Sequence, residues 1–145
     1  MLGKSAKYLR MLGYDTIYPP PDNDNALIKL ASRTNRIILT RSADLYNSTP
    51  QKDTIILIHA NQFSKKFKEI INKTGLQFRP QKLYTRCLLC NNKVKKIKKS
   101  EIKEQLPEKV KKHFDVFMFC SHCEKIYWRG GHTKRMISKA KQYFI

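Results

Sequence analysis

Two cysteine turns, Cys87-Leu88-Leu89-Cys90 and Cys120-Ser121-His122-Cys123, constrain this chain more than any other feature, and between them they hold all four of its cysteines. A C-x-x-C turn sets two sulfurs on one side of a point in space and turns backbone amides toward them. Two such turns supply the four soft ligands of a tetrahedral zinc ion. Four thiolates leave no position for water, so the spacing predicts a single structural zinc held by Cys87, Cys90, Cys120 and Cys123. Two disulfides or two redox pairs are the competing readings; the duplicated spacing with no cysteine left over favours one shared metal. His122 lies inside the second turn, but the thiolates already complete the shell.

Charge narrows the partner. The chain has 145 residues, with 30 Lys and Arg against 11 Asp and Glu, a formal net charge of +19. An excess of this size works against a compact state by self-repulsion unless a polyanion neutralises it, so nucleic acid is the expected partner. The imbalance is uneven: residues 1–78 sum to +6 and residues 79–145 to +13. No apolar run approaches the roughly 20 residues that span a bilayer. The opening residues lack the apolar core of a signal peptide, and a cytoplasmic location without a membrane partner is expected. Nothing in the sequence calls for a small-molecule cofactor.

Periodicity organises the first half. Leu2, Ala6, Leu9 and Leu12 share a helical face, with Gly13 placed for a left-handed C-terminal cap. Asp15–Tyr18 is expected as a short strand stopped by three prolines. Asp22 or Asp24 is placed to cap a helix carrying Leu27, Leu30 and Ala31. Residues 36–40 and 54–58 are continuous apolar strands, as in a covered parallel sheet. Phe63, Phe67, Ile70 and Ile71 mark a further helix ended by Gly75. This alternation predicts an α/β domain over residues 1–78, then a basic metal-binding domain over residues 79–145. In the second domain, residues 116–119 and 125–128 read as a hairpin around the second cysteine turn. A lysine-rich insert with a short helix capped by Ser100 separates the two turns. Tyr127 and Trp128 are candidates for stacking on bases or for the small core of that hairpin.

The segments Met1-Leu2-Gly3-Lys4, Leu9-Arg10, Leu12-Gly13-Tyr14-Asp15-Thr16, Ile37-Ile38-Leu39-Thr40-Arg41, the cysteine turns, and Tyr127-Trp128-Arg129-Gly130-Gly131-His132 with Arg135-Met136 together resemble the Mut-seven C-terminal ribonuclease family. The resemblance implies a PIN-like parallel-sheet domain, here lacking its first strand, followed by a four-cysteine zinc ribbon. Nucleases of that class cleave RNA with clustered carboxylates that hold magnesium or manganese. Against that pattern, Ser42 stands where an acid follows Thr-Arg, while Asp24 and Asp44 match acidic positions and are the candidate catalytic residues. Asp24 also reads simply as a helix N-cap, and Asp44 as the solvated first turn of a short helix. Lys93, Lys95, Lys96, Lys98, Lys99, Lys111, Lys112, Arg129, His132, Lys134 and Arg135 are the candidate RNA contacts. The expectation is a non-catalytic protein binding rRNA as a ribosome component, with a metal-dependent endoribonuclease as the alternative.

Overall fold

The opening apolar face folds into helix α1 (Gly3–Met11). Gly13 then adopts φ +91°, and the N–H of Tyr14 donates to the Leu9 carbonyl at 2.9 Å, closing the helix. These observations come from a computed structural model that describes residues 2–145; Met1 of the opening motif lies outside the described residues. The chain divides into two compact units: residues 2–6 with Ile17–Gln77, and Lys7–Thr16 with Phe78–Ile145. The stretch 7–16, expected with the first domain, groups with the second.

The first unit is built on a parallel pair, β1 (Ile38–Thr40) and β2 (Ile55–Leu57), with Ile38 opposite Ile55. Both strands are shorter than the apolar runs that predicted them. Helix α2 (Asp24–Thr34) precedes β1, and Asn23 caps it, in place of Asp22 or Asp24, by accepting from the Ala26 N–H at 2.8 Å. A short helix, α3 (Ala43–Ser48), lies between the strands, and α4 (Phe63–Thr74) follows them, ended by Gly75 at φ +70°. Ala31, Ile38, Leu45 and Ile55 form one buried cluster, flanked by Leu27, Ile28 and Tyr46. On α4, Phe67 and Ile70 are wholly buried.

The expected strand over residues 15–18 does not form. Side chains occupy its backbone groups: the Thr16 N–H donates to Asn91 Oδ1 at 2.9 Å, and the Thr16 carbonyl accepts from Arg10 Nε at 2.9 Å. A strand needs those groups for a ladder.

The second unit contains an antiparallel sheet, β3 (Lys95–Ile97), β4 (Phe117–Cys120) and β5 (Lys125–Tyr127), with β4 in the centre. The hairpin was legible; β3 was not. Ile97 pairs with Phe117, and Phe119 with Ile126, on one face. Helices α5 (Lys99–Ile102) and α6 (Glu108–His113) come from the insert. Ser100 is inside α5 and Lys98 precedes it, its N–H donating to Glu101 Oε2 at 3.1 Å. Ile102 and Leu106 pack with Phe117, surrounded by Ile97, Val110, Phe114, Ile126 and Trp128. A last helix, α7 (Gly131–Gln142), buries Ala140. Among the described residues no helix is long and apolar enough to cross a membrane.

Candidate metal centre and basic surface

Each cysteine turn is followed by a residue in the left-handed region, Asn91 at φ +73° after the first and Glu124 at φ +55° after the second. That conformation reverses the chain tightly enough to hold two sulfurs together. In the first turn the Asn91 N–H donates to the Cys87 carbonyl at 2.9 Å, and the Cys87 N–H to the Asn92 carbonyl at 2.8 Å. In the second, the Cys123 N–H points at Cys120 Sγ, 3.4 Å away.

The four Sγ atoms converge. All lie within 4.8 Å of one another, and Cys90 Sγ is 3.5 Å from Cys120 Sγ. A tetrahedral zinc with bonds of about 2.3 Å sets its sulfurs about 3.8 Å apart, so the quartet matches a single ion in size and in donor chemistry. None of the four is in a disulfide. Cys87 and Cys120 are wholly buried, while Cys90 and Cys123 are partly exposed.

The thiols also show why a cation suits them. Burial opposes ionisation of Cys90, but hydrogen bonds from the Asn92 backbone and from Cys123, Cys120 and Cys87 outweigh it and bring its pKa down to about 6. The hydrogen bond to Cys90, with burial, pushes Cys123 up to about 12. Neighbouring thiols thus pull one another's ionisation in opposite directions, a conflict that a divalent cation in place of their protons would remove.

Groups outside the sulfurs complete the centre, and sequence reasoning missed them. The Tyr127 hydroxyl lies 3.1 Å from Cys87 Sγ and accepts from the Leu88 N–H at 3.0 Å. Burial, then the contact with Cys87, pushes the Tyr127 pKa up, so the phenol keeps its proton and is able to donate it to a thiolate at Cys87. Tyr127 is therefore committed to the centre, and Trp128 packs edge-on against Phe117. His122 is exposed, its Nδ1 3.8 Å from Cys123 Sγ.

In the first unit, Asp24 opens α2 and Asp44 lies in the first turn of α3, both exposed. Ser42 caps α3, its Oγ accepting from the Leu45 N–H at 3.2 Å. Among the described residues the cysteine quartet is the only convergent group of three or more metal-ligating side chains. After β2, Glu69 accepts from the His59 N–H at 3.0 Å, the Ala60 N–H at 2.9 Å and Lys73 Nζ at 2.8 Å, with His59 Nδ1 3.1 Å away. Burial works against this carboxylate, but the bonds from Lys73, Ala60 and His59 prevail and hold its pKa at about 2. Its lone pairs are thereby occupied.

The basic candidates divide by exposure. Lys93, Lys95, Lys96, Lys98, Lys112, Arg129, His132, Lys134 and Arg135 are exposed. Lys99 and Lys111 are engaged within the insert: Lys99 Nζ donates to the Lys111 carbonyl and lies 3.3 Å from Asp115, and Lys111 pairs with Glu108 at 3.2 Å. Helix α7, which the sequence reading did not foresee, adds Lys139 and Lys141 to the exposed set.

No curated protein and no solved structure matches the chain. A family model does. It runs from the opening motif through both cysteine turns and into α7, covering residues 1–140 under the description Mut7-C RNAse domain. Coverage from the first unit to the last helix leaves one assignment, and the chain belongs to the Mut7-C RNAse domain family.

Proposed function

We propose that this chain binds RNA without cleaving it, holding phosphates on the basic surface of its second unit while one structural zinc staples that unit. The observation that carries the reading is the contrast between its charges. Eight of the candidate lysines and arginines are exposed, whereas Asp24 and Asp44 open separate helices and Ser42 carries no charge to hold a divalent ion. Magnesium- or manganese-dependent cleavage needs several carboxylates on one ion. The concrete form of the reading is an rRNA-binding component of a ribosomal subunit.

The way RNA is held follows from the aromatic residues. Among the described residues no Phe, Tyr or Trp is more than partly exposed, and five of them are buried. Proteins that take up unstacked single strands use exposed aromatic platforms, whereas folded RNA is recognised through its phosphates and shape. Structured RNA is therefore the preferred partner.

The family description favours a second reading, a metal-dependent endoribonuclease. One set of measurements separates them. Replacing Lys93, Lys95, Lys96, Lys98 and Lys112 together by glutamine is expected to weaken binding across RNA sequences and to flatten the salt dependence by about one unit per lost phosphate contact. Duplex competitor should displace bound RNA better than an unstructured strand. Purified protein with magnesium or manganese is expected to leave RNA intact. Metal-dependent cleavage abolished by Asp44→Asn would install the nuclease reading instead.

A further inference from the structure

Arg10 is a buried charge, 5% exposed, near the end of α1. Its guanidinium donates through Nε to the Thr16 carbonyl at 2.9 Å, and through one terminal nitrogen to the carbonyls of Leu88 at 3.0 Å and Leu89 at 3.1 Å. Leu88 and Leu89 are the two residues between Cys87 and Cys90. The contact therefore fixes the backbone of the first cysteine turn from a position 78 residues earlier in the chain.

A second set of bonds ties the same two segments. Asn91, in its left-handed conformation after Cys90, accepts the Thr16 N–H at 2.9 Å through Oδ1 and donates to Asp15 Oδ1 at 2.7 Å through Nδ2. The other Asp15 oxygen is 3.6 Å from Arg86, one residue before Cys87. Residues 10–16 thus act as a splint along residues 86–91.

Charge gives the splint a second role. Burying a guanidinium costs several kcal/mol unless anionic groups stand near it. Burial lowers the Arg10 pKa, and the groups that raise it again are Cys87, Cys90 and Tyr127. A zinc ion with four thiolates carries about −2, so the loaded centre and the arginine each offset the other's desolvation.

We propose that Arg10 is a positioning residue of the metal centre, holding the first cysteine turn in its ligating shape and supplying positive charge beside the thiolates. By linkage, metal binding must in turn hold residues 10–16 in place. The inference rests on the tetrathiolate reading, and it stands or falls apart from the RNA-binding one.

The test uses the full chain. Arg10→Ala is expected to weaken zinc binding, read by chelator competition, by about 10–100-fold, as is usual for loss of an outer-shell partner. In the cobalt-loaded protein the sulfur-to-metal charge-transfer band should move to longer wavelength, because thiolates without their nearby cation give up electrons more easily. Arg10→Lys restores the charge but not the fork that spans three carbonyls, and should recover part of both effects. Should Arg10→Ala fail to fold, Asn91→Gly removes the second tie while accommodating the left-handed backbone. It is expected to lower zinc affinity less than Arg10→Ala does, or, where that variant does not fold, to lower it measurably. In the unaltered protein, stripping the metal should expose the Thr16 amide to hydrogen exchange. The proposal is overturned by wild-type zinc affinity with an unmoved band in Arg10→Ala, by a lysine variant no better than alanine, or by Thr16 exchange indifferent to metal. A chain that takes up neither zinc nor cobalt overturns the tetrathiolate reading first.

Discussion

In the first unit the largest fully buried side chains are the apolar Phe67, Ile70, Ile55 and Ile58, with the small Ser5 and Thr49 buried as deeply, whereas in the second Phe117, Met11 and Leu12 share that position with two sulfurs, Cys87 and Cys120. One unit is held by apolar contact spread over many residues. The other gathers four sulfurs into one quartet, braced by polar side chains such as Arg10, Asn91 and Tyr127. Changing one of many spread contacts removes only its share of the stability, whereas losing one shared ion removes a whole centre. The basic charge collects on the unit that carries the cysteine quartet.

The largest expected effect is removal of the metal. Structural zinc contributes about 10–16 kcal/mol of apparent binding free energy in small modules, so Cys87→Ser or a strong chelator should unfold the second unit. Hydrogen exchange should then show protection surviving over residues 17–77 and lost over residues 84–127. Protection lost evenly along the chain would mean that both units depend on the metal. Next comes Phe67→Ala, which opens a cavity in a wholly buried site and is expected to cost about 3–5 kcal/mol. Zinc uptake should be unaffected; lower uptake in that variant would break the distinction from the other side.

The smallest effect sharpens the contrast through pH. Glu69 is held at about 2, below the ordinary value of about 4.3. The unfolded chain therefore takes up the proton first. The stability that Glu69 contributes is present in full above about pH 4.3 and is lost as pH falls toward 2. Glu69→Gln should lower stability by about 1–2 kcal/mol at pH 5 and by little at pH 2.5. Urea denaturation at the two pH values checks this, and an equal loss at both would show that the carboxylate's charge is not what stabilises the turn at His59 and Ala60.

Apolar periodicity and cysteine spacing made much of this legible. The runs around Ile38 and Ile55, the face of Phe63, Phe67, Ile70 and Ile71, and the stops at Gly13 and Gly75 all correspond to formed elements. What was missed has a common cause. Asp15–Tyr18 has the composition of a strand, but its backbone partners are side chains at positions 10 and 91, and no local pattern announces bonds across that distance. Strand β3 is hidden in a lysine run because only Ile97 of its three residues packs inward. Helix α7 begins at the second of two glycines and is dense in cations, so its apolar face was masked. The four sulfurs were readable as a site; Tyr127 and Arg10 were not, since a hydroxyl or guanidinium that serves a metal centre looks in sequence like any other.

The splint of residues 10–16 also sets an order of events in time. Thr16 leaves the translating ribosome more than a hundred residues before Cys123, and at about 5–20 residues per second the interval is about 5–20 s. For most of that interval Arg10 has no carbonyls of residues 88 and 89 to bind, and for the rest it has no complete sulfur set beside it. The last ligand to be made closes both the centre and the clamp. On the tetrathiolate reading, maturation of the second unit is a late, single event in the life of the nascent chain, governed by when Cys123 emerges and by how much metal is then at hand.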